Sequence, residues 1–283
     1  MTLAGADITG YQEAVAGFHW DLPEQLNMAH EVCDRWAESD PGRTAIIDLS
    51  AGSRRDVSFG DLRDMADRLA HHLAAQGVAR GDRVGVLRSQ SPWTAAAHIA
   101  IWKLGAISIP LFLLFGSDAL KTRLADAAAN AVVTDAEGQA LLGPLQNSLP
   151  ELETVLIPED GLPEAGPFET VDTGPDDPAV LIYTSGTTGA PKGALHGHRI
   201  LLGHLPGVEL SHDLLPQPGD VLWTPADWAW IGGLFDVLMP GLWHGVPVVA
   251  ARMPKFSPEA CREIIAAGVR NVFFPPTALR MLR

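Results

Sequence analysis

The sequence predicts an α/β fold in which βαβ units form largely parallel sheets flanked by helices. Short apolar runs alternate with longer segments whose apolar positions recur at helical spacing. The chain has 283 residues, 47% of them hydrophobic, which is enough to bury a sizeable core. Glycine and proline are spread between these segments and mark turns. Strands that alternate with helices of this length are typical of parallel sheets.

The first half of the chain shows the alternation most clearly. Ser58 and Asp61 have the spacing of a capping box, with Asp in place of the usual Glu, and Gly77 offers a stop for the same helix. Ser91 and Pro92 are expected to open the next helix. The predicted elements are, in order, strand 44–49, helix 58–77, strand 82–88, helix 91–105, strand 107–111, helix 117–129 and strand 131–135.

The second half begins with a stretch of different composition. Residues 161–178 are rich in acidic residues and prolines, so we interpret them as a linker over the surface. It would separate a first α/β subdomain, residues 1–170, from an incomplete second one, residues 171–283. A helix is predicted near 258–267, and the last nine residues, PPTALRMLR, have the pattern of the first turns of another.

Charge and composition exclude several classes of protein. The formal net charge of −14 argues against nonspecific binding to nucleic acid or to anionic membranes. The most apolar run, Leu104–Phe115, is too short to span a bilayer. The first residues do not resemble a signal peptide. Two cysteines, Cys33 and Cys261, suit a reducing cytosol, so we expect a cytoplasmic protein.

The segment Tyr183–Gly193, YTSGTTGAPKG, carries the strongest functional signal. Backbone N–H groups, hydroxyls and a lysine that converge after a buried strand favour phosphate binding. The Walker A pattern does not fit, because it needs a hydroxyl residue after its lysine and Gly193 follows Lys192. The serine-hydrolase elbow does not fit either, because it needs a glycine at Tyr183.

This segment resembles the phosphate-binding loop of the adenylate-forming enzymes, which include acyl-CoA synthetases, luciferases and peptide-synthetase adenylation domains. The similarity runs from about Asp21 onward. Residues 58–86 resemble the family's early helix and strand. Residues 226–249 and 269–283 resemble the medium-chain and acetyl-type acyl-CoA synthetases in particular, so the expected fold is the N-terminal part of that enzyme fold.

The resemblance implies that the complete protein converts a carboxylic acid to an acyl-adenylate with ATP, then to an acyl-CoA with CoA, releasing AMP and pyrophosphate. Mg²⁺ and preorganised donors would stabilise the charge on pyrophosphate. The implied partners are the acid, ATP and CoA, with no nucleic acid and no membrane span. The residues implied to bind the β- and γ-phosphates are Thr184, Ser185, Gly186, Thr187, Thr188, Gly189 and Lys192.

The same resemblance implies where the acid binds. Its candidates for the acyl pocket are Trp228, Trp230, Ile231 and Gly232. Aromatic walls and a glycine floor would shape an apolar slot, whereas ordinary core packing of the tryptophans stays an alternative. His196, His198 and His204 lack a fourth ligand at suitable spacing, so we expect no metal site in this chain.

Complete family members are much longer. They carry, beyond the position of Arg283, a Mg²⁺-ligand motif, an aspartate for the ribose and a mobile domain with the lysine that drives adenylation. We therefore expect this chain alone to form no acyl-CoA and to bind ATP weakly. Self-association into a homo-oligomer stays open. So do two other functions: a stand-alone, non-catalytic nucleotide-binding or interaction module, and an adenylating enzyme that loads a carrier protein.

Overall fold

The computed structural model describes residues 10–184, 191–253 and 255–282. The strands are β1 Thr44–Asp48, β2 Arg55–Ser58, β3 Arg83–Leu87, β4 Ile107–Leu111, β5 Ala131–Thr134, β6 Thr154–Leu156, β7 Pro178–Thr184, β8 Lys192–Gly197, β9 Leu222–Trp223, β10 Val248–Ala250 and β11 Asn271–Val272. The helices are α1 Tyr11–Gly17, α2 Arg35–Ser39, α3 Phe59–Ala75, α4 Pro92–Lys103, α5 Ser117–Asp126, α6 Ala136–Leu142, α7 Ile200–Ser211, α8 Ile231–Gly233, α9 Met239–His244, α10 Pro258–Ala266 and α11 Pro276–Met281. Helical segments of the π type occupy His30–Asp34 and Leu234–Leu238, and segments of the 3-10 type occupy Gly143–Ser148 and Pro158–Asp160.

One sheet has six strands in the order β6-β5-β3-β4-β7-β8. Its pairs are parallel except for the last, in which β8 returns antiparallel to β7. Helices α4 and α5 follow β3 and β4 and return the chain to the starting edge, as parallel pairing requires. The carboxyl ends of β3, β4 and β7 therefore lie at one edge of this sheet.

The other sheet has five strands in the order β11-β9-β10-β1-β2. Strand β1 runs parallel to β10, with Ile46 opposite Val248, and antiparallel to β2. Both sheets are mixed and mostly parallel, which confirms the predicted α/β class. Each sheet takes strands from both sides of residue 170, where the sequence suggests a boundary between subdomains.

Helix α4 is buried at every position except Trp93. Its sequence, PWTAAAHIAIWK, is apolar on all sides, as is usual for a helix enclosed by other elements. The indole N–H of Trp102 donates to the carbonyl of Ala179 at 2.9 Å and so attaches the helix to β7. Neither α4 nor any other helix in the described ranges combines the length and hydropathy needed to cross a bilayer.

The N-termini of α3 and α4 carry the side-chain caps that the sequence predicts. The Asp61 N–H donates to the Ser58 hydroxyl at 3.1 Å, and the Ser58 N–H donates to the Asp61 carboxylate at 3.0 Å. This reciprocal pair is a capping box. Ser91 accepts a hydrogen bond from the Thr94 N–H in the same way. Gly77 follows α3 with φ of +89°, a conformation that favours glycine.

The stretch 161–178 corrects one expectation. It forms no helix or strand before Pro178, but it is not only a surface linker. Leu162 and Thr173 are buried, the Val171 N–H donates to the Lys103 carbonyl at 3.0 Å, and the Thr173 hydroxyl donates to the Leu26 carbonyl at 2.7 Å. Composition misled here because backbone groups and a few small or apolar side chains make the contacts, while the carboxylates face water.

Candidate nucleotide and acid site

The β7–β8 hairpin carries the two described members of the expected phosphate loop. Strand β7 ends at Thr184, β8 begins at Lys192, and these two residues pair across the hairpin. Both side chains are exposed. The hairpin thus presents a hydroxyl and a cation side by side at its last described pair, Thr184 and Lys192, which we call the hairpin tip. The other expected residues, Ser185, Gly186, Thr187, Thr188 and Gly189, lie outside the described residues.

Helix α5 holds the last residues of β7 in place. The Tyr183 hydroxyl donates to the Asp126 carboxylate at 2.6 Å. Burial, together with this hydrogen bond, raises the pKa of the phenol. The Arg123 guanidinium lies 4.0 Å from the centre of the Phe115 ring and 5.8 Å from that of Tyr183. These contacts fix the position of the last residues of β7.

A cleft of about 270 Å³ lies beyond the carboxyl ends of strands from both sheets. Ligands of α/β proteins commonly bind in this position, where loops after parallel strands converge. The lining comes from residues 89–90 after β3, 112–114 after β4, 225 and 227 after β9, and 251–253 after β10. The cleft therefore combines loops that are far apart in the sequence.

Gln90 joins the two sheets at this cleft. Its amide N–H₂ donates to the carbonyl of Ala226 at 2.6 Å and to that of Thr224 at 3.2 Å. Its amide oxygen accepts the Ala251 N–H at 3.3 Å. Gln90 is 5% exposed, so these partners replace water for a buried amide. Sequence analysis missed this residue, because nothing local distinguishes it from a surface glutamine.

Asp227 lines the cleft and has a clearly shifted pKa. Burial raises the pKa of its carboxyl from the ordinary 3.8 to about 6, although a hydrogen bond from the Ala229 N–H, at 2.8 Å, acts in the opposite direction. Perturbed carboxyls in clefts often belong to functional sites. Asp227 immediately precedes the tryptophans that the sequence implicates in acid binding.

The raised pKa of Asp227 predicts a pH-dependent stability. Between about pH 4 and 6 the folded state keeps a proton that the unfolded state has lost, so this stabilising contribution is present at low pH and lost as the pH rises through 6. Asp227→Asn keeps an acceptor for the Ala229 N–H. Its effect on the free energy of unfolding, relative to the unchanged protein, is expected to be more stabilising at pH 7 than at pH 4 by about 1–3 kcal/mol. Urea denaturation of both proteins at both pH values measures this. An equal effect at the two pH values would contradict it.

The structure separates the acyl-pocket candidates. Trp228 is 1% exposed and belongs to the core, which is the alternative that the sequence left open. Trp230 is 58% exposed, and its ring meets Phe112 of the cleft edge-on, with 5.9 Å between ring centres. Ile231 is exposed beside it at the start of α8. A Cβ atom at Gly232 would lie 3.1 Å from the Phe273 ring and 3.4 Å from an Asp236 carboxylate oxygen, so Gly232 borders both side chains.

The three histidines of interest lie in separate surroundings. His198 is buried and accepts the Met28 N–H through Nδ1 at 3.0 Å, and burial lowers its pKa to about 4. His204 pairs through Nδ1 with Asp236 at 2.7 Å. His196 lies on β8. Within the described ranges, no three His, Cys, Asp or Glu side chains gather into a group that could hold a metal ion.

Comparison with known proteins adds to this geometry. Residues 33–283 match the family model described as AMP-binding enzyme. Acetyl-coenzyme A synthetase of Halorhodospira halophila is 30% identical over an alignment that covers 93% of this chain and 47% of that protein. Acetyl-coenzyme A synthetase of Streptomyces coelicolor is 32% identical, with 92% and 45% covered. This chain spans about half the length of the curated relatives it matches.

Solved structures show the same fold. The acyl-CoA synthetase of Brucella canis has a TM-score of 0.82 and 28% identity, and the match covers 97% of this chain and 54% of that chain. The N-terminal domain of FACL13 from Mycobacterium tuberculosis, solved with an inhibitor, has a TM-score of 0.79 at 22% identity, with 91% and 65% covered, and shows likeness of fold alone. These matches confirm the resemblance drawn from the sequence. The chain belongs to the AMP-binding enzyme family and corresponds to the N-terminal domain of proteins like the acyl- and acetyl-CoA synthetases.

Proposed function

We propose that this chain binds ATP and a carboxylic acid and contributes to formation of an acyl-adenylate, as the N-terminal part of an AMP-forming acyl-CoA synthetase. This proposal is supported by the finding that the β7–β8 hairpin and the cleft lie at the same edge of the six-stranded sheet. Strand β7, which ends in the hairpin tip, runs parallel to β4, whose following loop lines the cleft. A triphosphate at the tip and an acid in the cleft would therefore be neighbours.

Phosphate binding is the proposed role of the hairpin. Lys192 would supply a positive charge and Thr184 a hydroxyl, and both are exposed and paired across the strands. The intervening residues Ser185, Gly186, Thr187, Thr188 and Gly189 would add backbone and hydroxyl donors. Such donors stabilise the negative charge that gathers on departing pyrophosphate. Mg²⁺ would arrive with ATP and neutralise part of the phosphate charge.

Acid binding is the proposed role of the residues around α8. Trp230 and Phe112 offer an apolar wall at the mouth of the cleft, and Gly232, which has no side chain, lets the Phe273 ring pack closely against the backbone nearby. Apolar walls with few polar groups are usual in sites for small organic ligands. CoA is the proposed acceptor of the acyl group, by family membership.

Equilibrium binding tests this proposal without requiring turnover. Calorimetric titration of the chain with ATP and Mg²⁺, and then with acetate, butyrate, octanoate or benzoate, is expected to show saturable binding of nucleotide and of at least one acid. With the protein that contains this chain, acid-dependent release of pyrophosphate identifies the acid, and thioester formation with CoA identifies the acceptor. If neither ATP nor any of these acids bound, the result would contradict the proposal.

A further inference from the structure

A second cavity, of about 320 Å³, lies between α7 and the helical segment that begins with α8. His204, Val208 and Asp236 line it, and Phe273, just after β11, closes one side. Gly232 borders the same space, because a side chain there would point at Phe273 and Asp236. The cavity therefore lies next to a residue that is proposed to lie beside the acid.

Asp236 offers a hydrogen-bond acceptor to this space. Its Oδ1 accepts from His204 Nδ1 at 2.7 Å, whereas Oδ2 forms no hydrogen bond with any residue in the described ranges. Oδ2 is also the oxygen nearest Gly232, 3.4 Å from the position that a Cβ would take. The His204 and Asp236 side chains are 24% and 34% exposed, so both are partly buried.

Val208, Phe273 and two glycines of α7 supply no side-chain donor, and the Ser211 hydroxyl, which also lines the cavity, already donates to the Val208 carbonyl at 3.2 Å. His212, just after α7, is the other polar residue of the lining. An alkyl chain that filled the cavity would displace water from Asp236 Oδ2 without replacing its hydrogen bonds. Leaving a polar group unpaired in this way is unfavourable. A hydroxyl group on the chain would donate to Oδ2 and remove that penalty. An ammonium group would donate too, but removing its full charge from water costs more than removing a hydroxyl group.

We propose that the preferred substrates are carboxylic acids with a hydroxyl group on the chain, which enters this cavity and donates to Asp236 Oδ2. This proposal rests on the function proposed above. It deepens that function by naming the feature that distinguishes one acid from another. The His204–Asp236 pair would act as the specificity-determining group.

Binding of matched acids tests the proposal. Butyrate, β-hydroxybutyrate, γ-hydroxybutyrate and γ-aminobutyrate are titrated into the chain by calorimetry in the presence of ATP and Mg²⁺. At least one hydroxy acid is expected to bind about 10-fold more tightly than butyrate, as one hydrogen bond to a charged group predicts. In Asp236→Ala this preference disappears while butyrate binding persists. Asp236→Asn keeps a carbonyl oxygen and should retain part of the preference for the hydroxy acid.

Asp64→Ala, which removes an exposed carboxylate from α3, serves as the matched control and keeps the full preference. Thermal melting followed by circular dichroism establishes that each variant folds. Equal affinity for butyrate and both hydroxy acids, a preference that survives in Asp236→Ala, or tighter binding of γ-aminobutyrate each overturns this proposal and leaves acid binding intact. Failure of every acid to bind overturns it together with the proposed acid site.

Discussion

Replacing Lys103 by methionine is expected to destabilise the protein by about 3–5 kcal/mol, because it leaves two buried carboxylates without a counter-ion. The Lys103 ammonium lies 2.5 Å from Asp34 and 2.8 Å from Asp67, and all three side chains are nearly inaccessible to water. Burial lowers the pKa of Lys103, but the two carboxylates raise it more, so the ammonium stays charged. Urea denaturation at neutral pH measures the loss.

This cluster also explains the position of the acidic stretch before β7. The Thr170 hydroxyl donates to the second oxygen of Asp34 at 2.7 Å, so the cluster attaches residues 161–178 to α3 and α4. Unfolding of the Lys103→Met variant should therefore begin with this stretch. Limited proteolysis is expected to cleave it faster than in the unchanged protein.

Two variants separate charge from packing in this prediction. Lys103→Met combined with Asp34→Asn and Asp67→Asn should recover most of the stability, since removing a whole buried ion cluster is often neutral. Lys121→Ala, at an exposed site, should change stability by less than about 0.5 kcal/mol. Lowering the pH to about 5 should lessen the deficit of the single variant, because an unpaired buried carboxyl takes up a proton. A loss below about 1 kcal/mol would show that the cluster does not stabilise the fold as argued.

Lys192→Ala is expected to weaken ATP binding by about 10- to 100-fold, the effect of losing a charge-assisted hydrogen bond to phosphate. AMP binding should change little, because AMP lacks the β- and γ-phosphates that the hairpin is proposed to hold. The ratio of the two affinities therefore reports on the hairpin tip and not on the adenosine site. Nuclear magnetic resonance of the ligand measures both affinities even if they are in the millimolar range.

Lys192→Arg keeps the charge and should retain most of the preference for ATP over AMP. Lys121→Ala removes an exposed lysine from α5 and should leave both affinities unchanged. If Lys192→Ala weakened ATP and AMP equally, the lysine would act elsewhere than at the terminal phosphates.

Local sequence predicted those elements whose determinants lie close together. The cap at Ser58 and Asp61 needs residues three positions apart, and the α3 helix follows from it directly. Helix α7 shows the opposite case, because Pro206 lies in its interior and disfavours a helix. Its side chains Leu201, Leu205 and Val208 are buried against the core, so tertiary packing outweighs the local preference.

The site residues also differ in whether their partners lie close to them in the sequence. The motif between Thr184 and Lys192 is contiguous and could be recognised without a structure. The amide of Gln90 finds partners up to 161 positions away, which no local pattern reveals. Trp228 and Trp230 are two positions apart in the same short segment, yet Trp228 is 1% exposed and Trp230 is 58% exposed. Only the fold decides which indole is core and which can face a ligand.

Hydrogen–deuterium exchange of the backbone amides tests the central claim most directly, because it locates bound nucleotide along the chain. With ATP and Mg²⁺, peptides that cover residues 178–197 should exchange more slowly than with AMP, and Lys192→Ala should abolish that difference. Equal protection by ATP and AMP in these peptides, or ATP-dependent protection confined to other parts of the chain, would contradict the proposal that the β7–β8 hairpin binds the terminal phosphates.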